Sequence, residues 1–248
     1  MAEVWFEARQ VEAWLSGRPV IHQLNLTLEL GQSTTVLGAN GAGKSTLVKL
    51  IDRSLHPIVQ ADSHLKLFGS ETVNLWQLRR RLGVVNSELE TRFPTMISAL
   101  EVVLSGLFGS MRLGRDQTPQ AEQISATRTL LEQLDLAAIA DQPFGQLSDG
   151  QRRRLMIARA LVHAPEVLVL DEPTVGLDIE SRSAIWYLLR QLVDEGTTVL
   201  LSSHYLEEVE ALADHVFVLH EGRLLAEGTV SEIKANAAVK AVYAGGSK

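Results

Sequence analysis

Apolar and polar residues alternate along the chain in two rhythms, and the changes of rhythm divide it. Near the start the period is two. In "VIHQLNLTLEL", Ile21, Leu24, Leu26, Leu28 and Leu30 largely alternate with polar residues, as in a strand with one covered face, and "EVWFEARQVEAWL" before it reads the same way. "TTVLG" then ends a short apolar strand in glycine, and from Lys44 the period lengthens to that of a helix, with Leu47, Leu50 and Ile51 on one side. From Glu88 to Gln146 the pattern is mainly helical, with "SALEVVLSGLF" introduced by Ser98 and, three residues on, Glu101, the mark of a capping box. "GSMRLGRDQTP" inside that stretch reads as an exposed loop. Farther on, "EVLVLDEP" and "TTVLLSSH" are unbroken Val and Leu runs on either side of an amphipathic helix predicted from Ile179 to Asp194. Such runs belong to strands covered on both faces, as in a parallel sheet. The fold class is therefore α/β, with a mostly parallel sheet, antiparallel strands at the start and a helical lobe in the middle.

Composition narrows the chemistry. The chain has 248 residues, 46% of them hydrophobic, enough for one large domain with a sizeable core. A net charge of −7 argues against a general nucleic-acid binder. With no cysteine, thiol catalysis, thiolate metal sites and disulfides are excluded. The opening "MAEVWFEARQVEAW" is unlike a secretory leader, and nowhere do 18 uncharged apolar residues follow one another.

"GANGAGKST", Gly38 to Thr46, matches G-x-x-x-x-G-K-[S/T] between a predicted strand and a predicted helix. Glycines let successive N–H groups curl around one anion, and the helix N-terminus adds partial positive charge. The expected nucleotide-binding residues are Gly38, Asn40, Gly41, Ala42, Gly43, Lys44, Ser45 and Thr46, with Lys44 reaching the β- and γ-phosphates and the Ser45 hydroxyl ligating Mg²⁺. The bland alternative is a glycine turn that caps a helix. Asp171 ends the strand "VLVLD" and is expected to hold Mg²⁺ through its water shell. Strand alternation would turn Glu172 another way, toward a water beside the γ-phosphate, as general base or water-positioning group. The rival reading is two acids in a solvated turn. His204 ends "TTVLLSSH", and since ligands of open α/β sheets collect at the carboxyl ends of strands, its imidazole is expected to face the γ-phosphate.

Gly38 to Ser45, "LSDGQ", "VLVLDEP", "GLD" at Gly176 to Asp178, and His204 together resemble an ATP-binding cassette (ABC) ATPase, over nearly the whole chain and in that family's order. The resemblance implies a P-loop NTPase fold in which residues 1–87 and 160–230 form a RecA-like core, 88–159 a helical subdomain and 231–248 a tail. It implies ATP and Mg²⁺ as cofactors, Glu172, His204 and Lys44 as catalytic residues, and Asp178 as the D-loop residue. Trp14 stands where the family places an aromatic residue that stacks on adenine; a core tryptophan is the alternative. Ser148, Asp149, Gly150 and Gln151 occupy the place of the family's signature, which contacts ATP held by the opposite subunit of a head-to-tail dimer.

Two departures stand out. The family usually has glycine where this chain has Asp149, and a carboxylate close to a γ-phosphate would repel it, so Asp149 is expected to point away while Ser148 and Gly150 make the contact. Three arginines, Arg152 to Arg154, follow at the helix end where cations are least welcome, and Asp149 is expected to offset them. At "LGVVNSELE" the family's Q-loop glutamine is replaced by Ser87, with Asn86 beside it. The implied partners are a second ABC ATPase subunit, like or unlike, and an integral membrane permease, with no nucleic acid, and the implied location is cytoplasmic and peripheral on the cytoplasmic face of the membrane. A soluble ABC ATPase acting on DNA or in regulation, or a nucleotide sensor with little turnover, are the competing readings.

Overall fold

A computed structural model describes residues 3–245, apart from the side chains of residues 87, 244 and 245. Two sheets organise it. β1 (Val4–Leu15) and β2 (Arg18–Glu29) form an antiparallel hairpin. After β3 (Ser33–Leu37), which goes elsewhere, β4 (His64–Leu67) pairs antiparallel with the other edge of β1. β3 lies inside a six-stranded sheet with β5 (Leu82–Val85), β6 (Val167–Asp171), β7 (Thr198–Ser203), β8 (His215–His220) and β9 (Arg223–Gly228), in the order β5-β6-β7-β3-β8-β9. All its pairings are parallel except that of β8 with β9, so the mostly parallel sheet and the antiparallel opening are as expected.

The unbroken apolar runs have the cause expected of them. Val167 and Val169 of β6 pack into a cluster with β1, β2 and the helix α1 (Lys44–Ile51), while Leu168 and Leu170 pack into a second cluster on the opposite face. Burying both faces removes each such side chain from water, worth about 1.5–3 kcal/mol apiece, which a half-exposed strand would gain on one face only.

The remaining helices are α2 (Leu75–Arg81), α3 (Ser87–Glu90), α4 (Ala99–Ser105), α5 (Ala121–Gln133), α6 (Asp149–Leu161), α7 (Ile179–Asp194), α8 (Leu206–Leu212), α9 (Val230–Ala235) and α10 (Ala237–Gly245). The helix predicted from Ile179 to Asp194 is α7 with those bounds. Ser98 caps α4 by accepting from the N–H of Glu101 at 3.1 Å; the return bond of a full capping box is not among the described contacts. The segments expected as core (1–87 and 160–230) and as helical subdomain (88–159) share apolar packing. One cluster runs from Phe93, Val102 and Leu131 through Leu155 to Leu168, Leu170 and Leu189. At the last turn of α6, two glycines let other segments reach its backbone. A Cβ at Gly83 on β5 would lie 2.5 Å from the carbonyl of Ala160, and one at Gly106, just after α4, 2.5 Å from that of Arg159. In the tail, Ile233 and Val239 pack on Leu37, Val216 and Val218; residues 246–248 lie outside the described part.

Candidate nucleotide site

The loop from Gly38 to Gly43 leaves the carboxyl end of β3 and enters α1. It is anchored at both ends: the N–H of Gly38 donates to the carbonyl of Ser203 at 3.1 Å, and the N–H of Gly222 donates to that of Ala42 at 3.0 Å. Glycine is required at two of its positions. A side chain at Gly38 would meet the carbonyl of Leu219 at 2.7 Å. Gly43 has φ +104°, a left-handed value that L residues avoid, and a Cβ there would meet Cδ1 of Ile21 at 2.8 Å. Asn40, Gly41 and Ser45 are exposed, whereas Ala42, Gly43, Lys44 and Thr46 are buried.

Lys44 reaches back along the loop. Its Nζ donates to the carbonyls of Gly38 at 2.8 Å and Ala39 at 3.1 Å and pairs with Oε1 of Glu172 at 3.0 Å. The same Glu172 oxygen lies 3.2 Å from Nδ1 of His204. Three residues from three distant parts of the sequence thus meet at one carboxylate, at the ends of β3, β6 and β7. Burial would raise the Glu172 carboxyl, but the hydrogen bond and charge of Lys44, and then those of His204, overcome it and hold the group below the usual carboxylate range.

Strand alternation places Asp171 but not Glu172. Asp171 shares the face of Val167 and Val169 and stands in register with Ser202, whose hydroxyl donates to its Oδ1 at 2.5 Å. β6 ends there. Glu172 has φ +49°, in the left-handed region, and its N–H donates to Oγ of Ser202 at 3.0 Å. The turn brings its carboxylate to Lys44, where continued alternation would have sent it to the opposite face. A non-glycine residue at such a φ is costly and persists where its surroundings hold it.

Trp14 is 48% exposed near the end of β1, whereas Trp5, on the same strand, is 1% exposed. The core reading of Trp14 therefore fails. Its neighbour Ala13 pairs with Ile21, the residue that touches Gly43, so the indole belongs to the hairpin end that flanks the loop.

At the start of α6 the capping box is complete. Oγ of Ser148 accepts from the N–H of Gln151 at 3.3 Å, and Oε1 of Gln151 accepts from the N–H of Ser148 at 2.9 Å. Asp149 is 73% exposed in its side chain and pairs with Arg152 at 2.9 Å. Arg153 turns inward to Glu90 at 3.7 Å. Gly150 is buried rather than presented: a Cβ there would meet Oγ of Ser181 at 2.5 Å. Ser181 belongs to the first turn of α7, capped by Asp178, whose Oδ1 accepts from the Ser181 N–H at 2.8 Å and whose Oδ2 accepts from its hydroxyl at 3.0 Å. The side chain of Ser87 lies outside the described part; Asn86 caps α3 by accepting from the N–H of Leu89 at 2.8 Å.

A family model described as ABC transporter matches residues 21–175. The chain belongs to the ABC transporter family. It is an ABC nucleotide-binding chain, and the family's activity makes it an ATPase. Among its relatives is the daunorubicin resistance ATP-binding protein DrrA3 of Streptomyces coeruleorubidus, 37% identical over 95% of this chain and 71% of that one. Another is the Nod factor export ATP-binding protein I of Burkholderia lata, 37% identical over 89% of this chain and 69% of that one. Of solved structures, cbiO1 from Clostridium perfringens, part of the ABC transporter complex cbiONQ, matches with TM-score 0.79 at 28% identity, covering 96% of this chain and 93% of that one. An ATP-binding cassette of an ABC transporter in its ADP conformation matches with TM-score 0.83 at 23% identity over 98% of this chain and 99% of that one, a likeness of fold.

Sequence reasoning missed several polar residues of the cassette. Ser202 orients Asp171, and Glu208, four residues after His204, is buried and accepts from Ser203. Arg159 is buried beneath the helical lobe, where it donates to Oγ of Ser105 at 3.3 Å and the carbonyl of Ser110 at 2.9 Å; burial pulls its guanidinium down to about 10. The one available signal was polarity out of place: two serines closing an apolar strand in "VLLSSH", and an arginine inside the apolar face of "RRRLMIARAL".

Proposed function

We propose that this cassette binds Mg-ATP on the loop of residues 38–46, completes the site with the signature helix of a second ABC ATPase subunit, and drives solute transport through a separate membrane permease from the cytoplasmic face. The observation that carries the hydrolytic part is the meeting of Lys44, Glu172 and His204 at the mouth of the loop. Lys44 exchanges its loop carbonyls and Glu172 for phosphate oxygens, while the loop N–H groups and the α1 N-terminus hold the rest of the anion. That exchange removes the chief influence lowering the Glu172 carboxyl, so it becomes a better base as phosphate arrives and turns to the attacking water. His204 stays beside it to fix its orientation.

The donor set suits hydrated magnesium. Ser45 offers an exposed hydroxyl, and Asp171 one carboxylate that Ser202 already orients; Mg²⁺ takes such sparse protein ligation and keeps several waters. Among the described residues no cluster of three or more His, Asp or Glu forms an all-protein cage. Bound there, the ion would offset charge on the β- and γ-phosphates.

Pairing of two chains is supported at α6. Ser148 and Asp149 are exposed, yet among the described residues no hydrogen bond or ion pair joins the start of α6 to residues 38–46. Trp14 supplies an open face for adenine. A permease is supported by a cavity of about 350 Å³ between core and helical lobe, lined among others by Arg53, Leu75, Leu78, Arg79, Arg92 and Met111. The run from Leu100 to Leu107 contributes only Gly106 to it, the rest being largely lobe core. Among the described residues no helix is long and apolar enough to cross a membrane, so a membrane path would come from a partner. The names of the relatives, resistance and export, favour the outward direction.

Glu172→Gln tests this reading. ATP turnover by the purified chain should fall at least about a hundredfold while ATP binding persists, and the chain should co-purify with an integral membrane protein. Turnover kept in that variant, or recovery only with nucleic acid, would contradict it.

A further inference from the structure

The helix after His204, α8, carries a carboxylate that the proposed function does not use. Glu208 is 1% exposed. Burying a carboxylate is costly unless hydrogen bonds satisfy it, and here three side-chain donors do. Thr174 Oγ1 at 2.8 Å and Trp186 Nε1 at 3.0 Å donate to Oε1, and Ser203 Oγ at 2.5 Å donates to Oε2. The donors stand on three separate segments. Thr174 follows Glu172 by two residues, Ser203 directly precedes His204, and Trp186 lies on α7, the helix that Asp178 caps.

We propose that Glu208 is a positioning residue for ATP hydrolysis, clamping the ends of β6 and β7 so that Glu172 and His204 meet at 3.2 Å, and tying both to α7. It rests on the roles given above to Glu172 and His204. The chemistry calls for a carboxylate because the cluster supplies donors on both sides. A glutamine of the same shape would accept from Thr174 and Trp186 but turn N–H groups toward Ser203; flipped, it would face an indole that can only donate. The Ser203 hydroxyl has little alternative. Its oxygen already accepts from the N–H of Tyr205 at 3.0 Å, and the next acceptor for its proton is the Tyr205 carbonyl at 3.5 Å. Loss of the clamp frees the turn holding Glu172 at φ +49° and the segment from His204 into α8 to drift, while the backbone of Ser203, in register with Leu37 on β3, still accepts from the N–H of Gly38 and keeps the ATP-binding loop in place.

The test is steady-state ATPase kinetics of the purified chain carrying Glu208→Gln, with ATP-binding stoichiometry measured alongside. kcat should fall about ten- to a hundredfold, the scale of small misplacements of reacting groups, with KM for ATP within about twofold and a full complement of bound nucleotide. A merely structural role would lower kcat only in proportion to the fraction of chains that bind ATP. That outcome, or a kcat within about twofold of the parent, overturns the proposal. Should Glu208→Gln not fold, Ser203→Ala is judged by the same two criteria. Glu172→Gln and His204→Ala separate the two levels: if they turn over like the parent, the roles of Glu172 and His204 are wrong, and if they are inactive while Glu208→Gln is unimpaired, only the clamp is wrong.

Discussion

Asp149 shows how a single side chain reconciles opposed demands. Three arginines follow it at a helix end that disfavours cations, and the first two are paired with acids. Arg152 folds back to Asp149 and to the carbonyl of Leu147 at 3.1 Å, and Arg153 is drawn inward to Glu90. An acidic residue in the first turn also complements the helix dipole. The carboxylate is therefore engaged by its own helix at the outer surface, and it need not face a triphosphate brought by another chain. Asp149→Gly should leave ATP turnover within about twofold, because the energy of an exposed pair is small. A several-fold gain in an ATPase assay would mean that the carboxylate opposes nucleotide. The same logic of local satisfaction explains Gln151, whose side chain is spent on the capping box, and Gly150, which is small because Ser181 lies against it.

Between elements, the contacts that matter join segments far apart in sequence. α2 ends at Arg81, whose guanidinium grips Glu166, just before β6, with two bonds of 2.5 and 2.6 Å, while the N–H of Glu166 donates to the Arg81 carbonyl at 3.0 Å. This clip aligns the starts of β5 and β6, the strand pair that carries Asp171 toward the loop. The Arg81 hydrogen bond, against a smaller opposing effect of burial, holds the Glu166 carboxyl below the usual range. A depressed carboxyl stabilises the fold in full above its unfolded pKa and loses that contribution as pH falls through the folded one. Because both side chains are more than a third exposed, solvent screening limits the effect to about 0.5–1 kcal/mol even with two-pronged geometry. Urea denaturation should therefore find Glu166→Gln less stable by about that much at neutral pH, with the difference closing in acid. A gap that persists unchanged below the carboxylate range would assign the effect to something other than this charge.

For the whole molecule, the central question is whether one chain makes a complete site. The loop cluster of Lys44, Glu172 and His204 and the exposed start of α6 belong to the same chain but share no hydrogen bond or ion pair among the described residues. If each nucleotide lies between two chains, Lys44→Ala and Ser148→Ala preparations should each be inactive alone. Mixed, they should recover turnover, since a mixed pair holds one intact loop opposite one intact signature. The Glu172→Gln chain should run as a dimer in saturating Mg-ATP on a sizing column. Absence of complementation together with a persistent monomer would count against the two-chain site.

What the sequence determined by itself was whatever depends on short range. Alternation and apolar runs followed from which faces are covered, the helix bounds of α7 from its period, and the loop at Gly38 from glycines that alone permit its backbone. The tertiary structure decided which distant groups share one place. Nothing in "VLVLDEP" says that Glu172 leaves the strand through a left-handed residue and swings to Lys44, because that turn is held by Ser202 on a neighbouring strand. The exposure of Trp14 against the burial of Trp5, and the satisfaction of Glu208 by Thr174, Trp186 and Ser203, were hidden for the same reason. Local rules act through the bonds and sterics of adjacent residues, whereas burial, charge pairing and a carboxylate's choice of donors are fixed only when packing brings remote segments into contact.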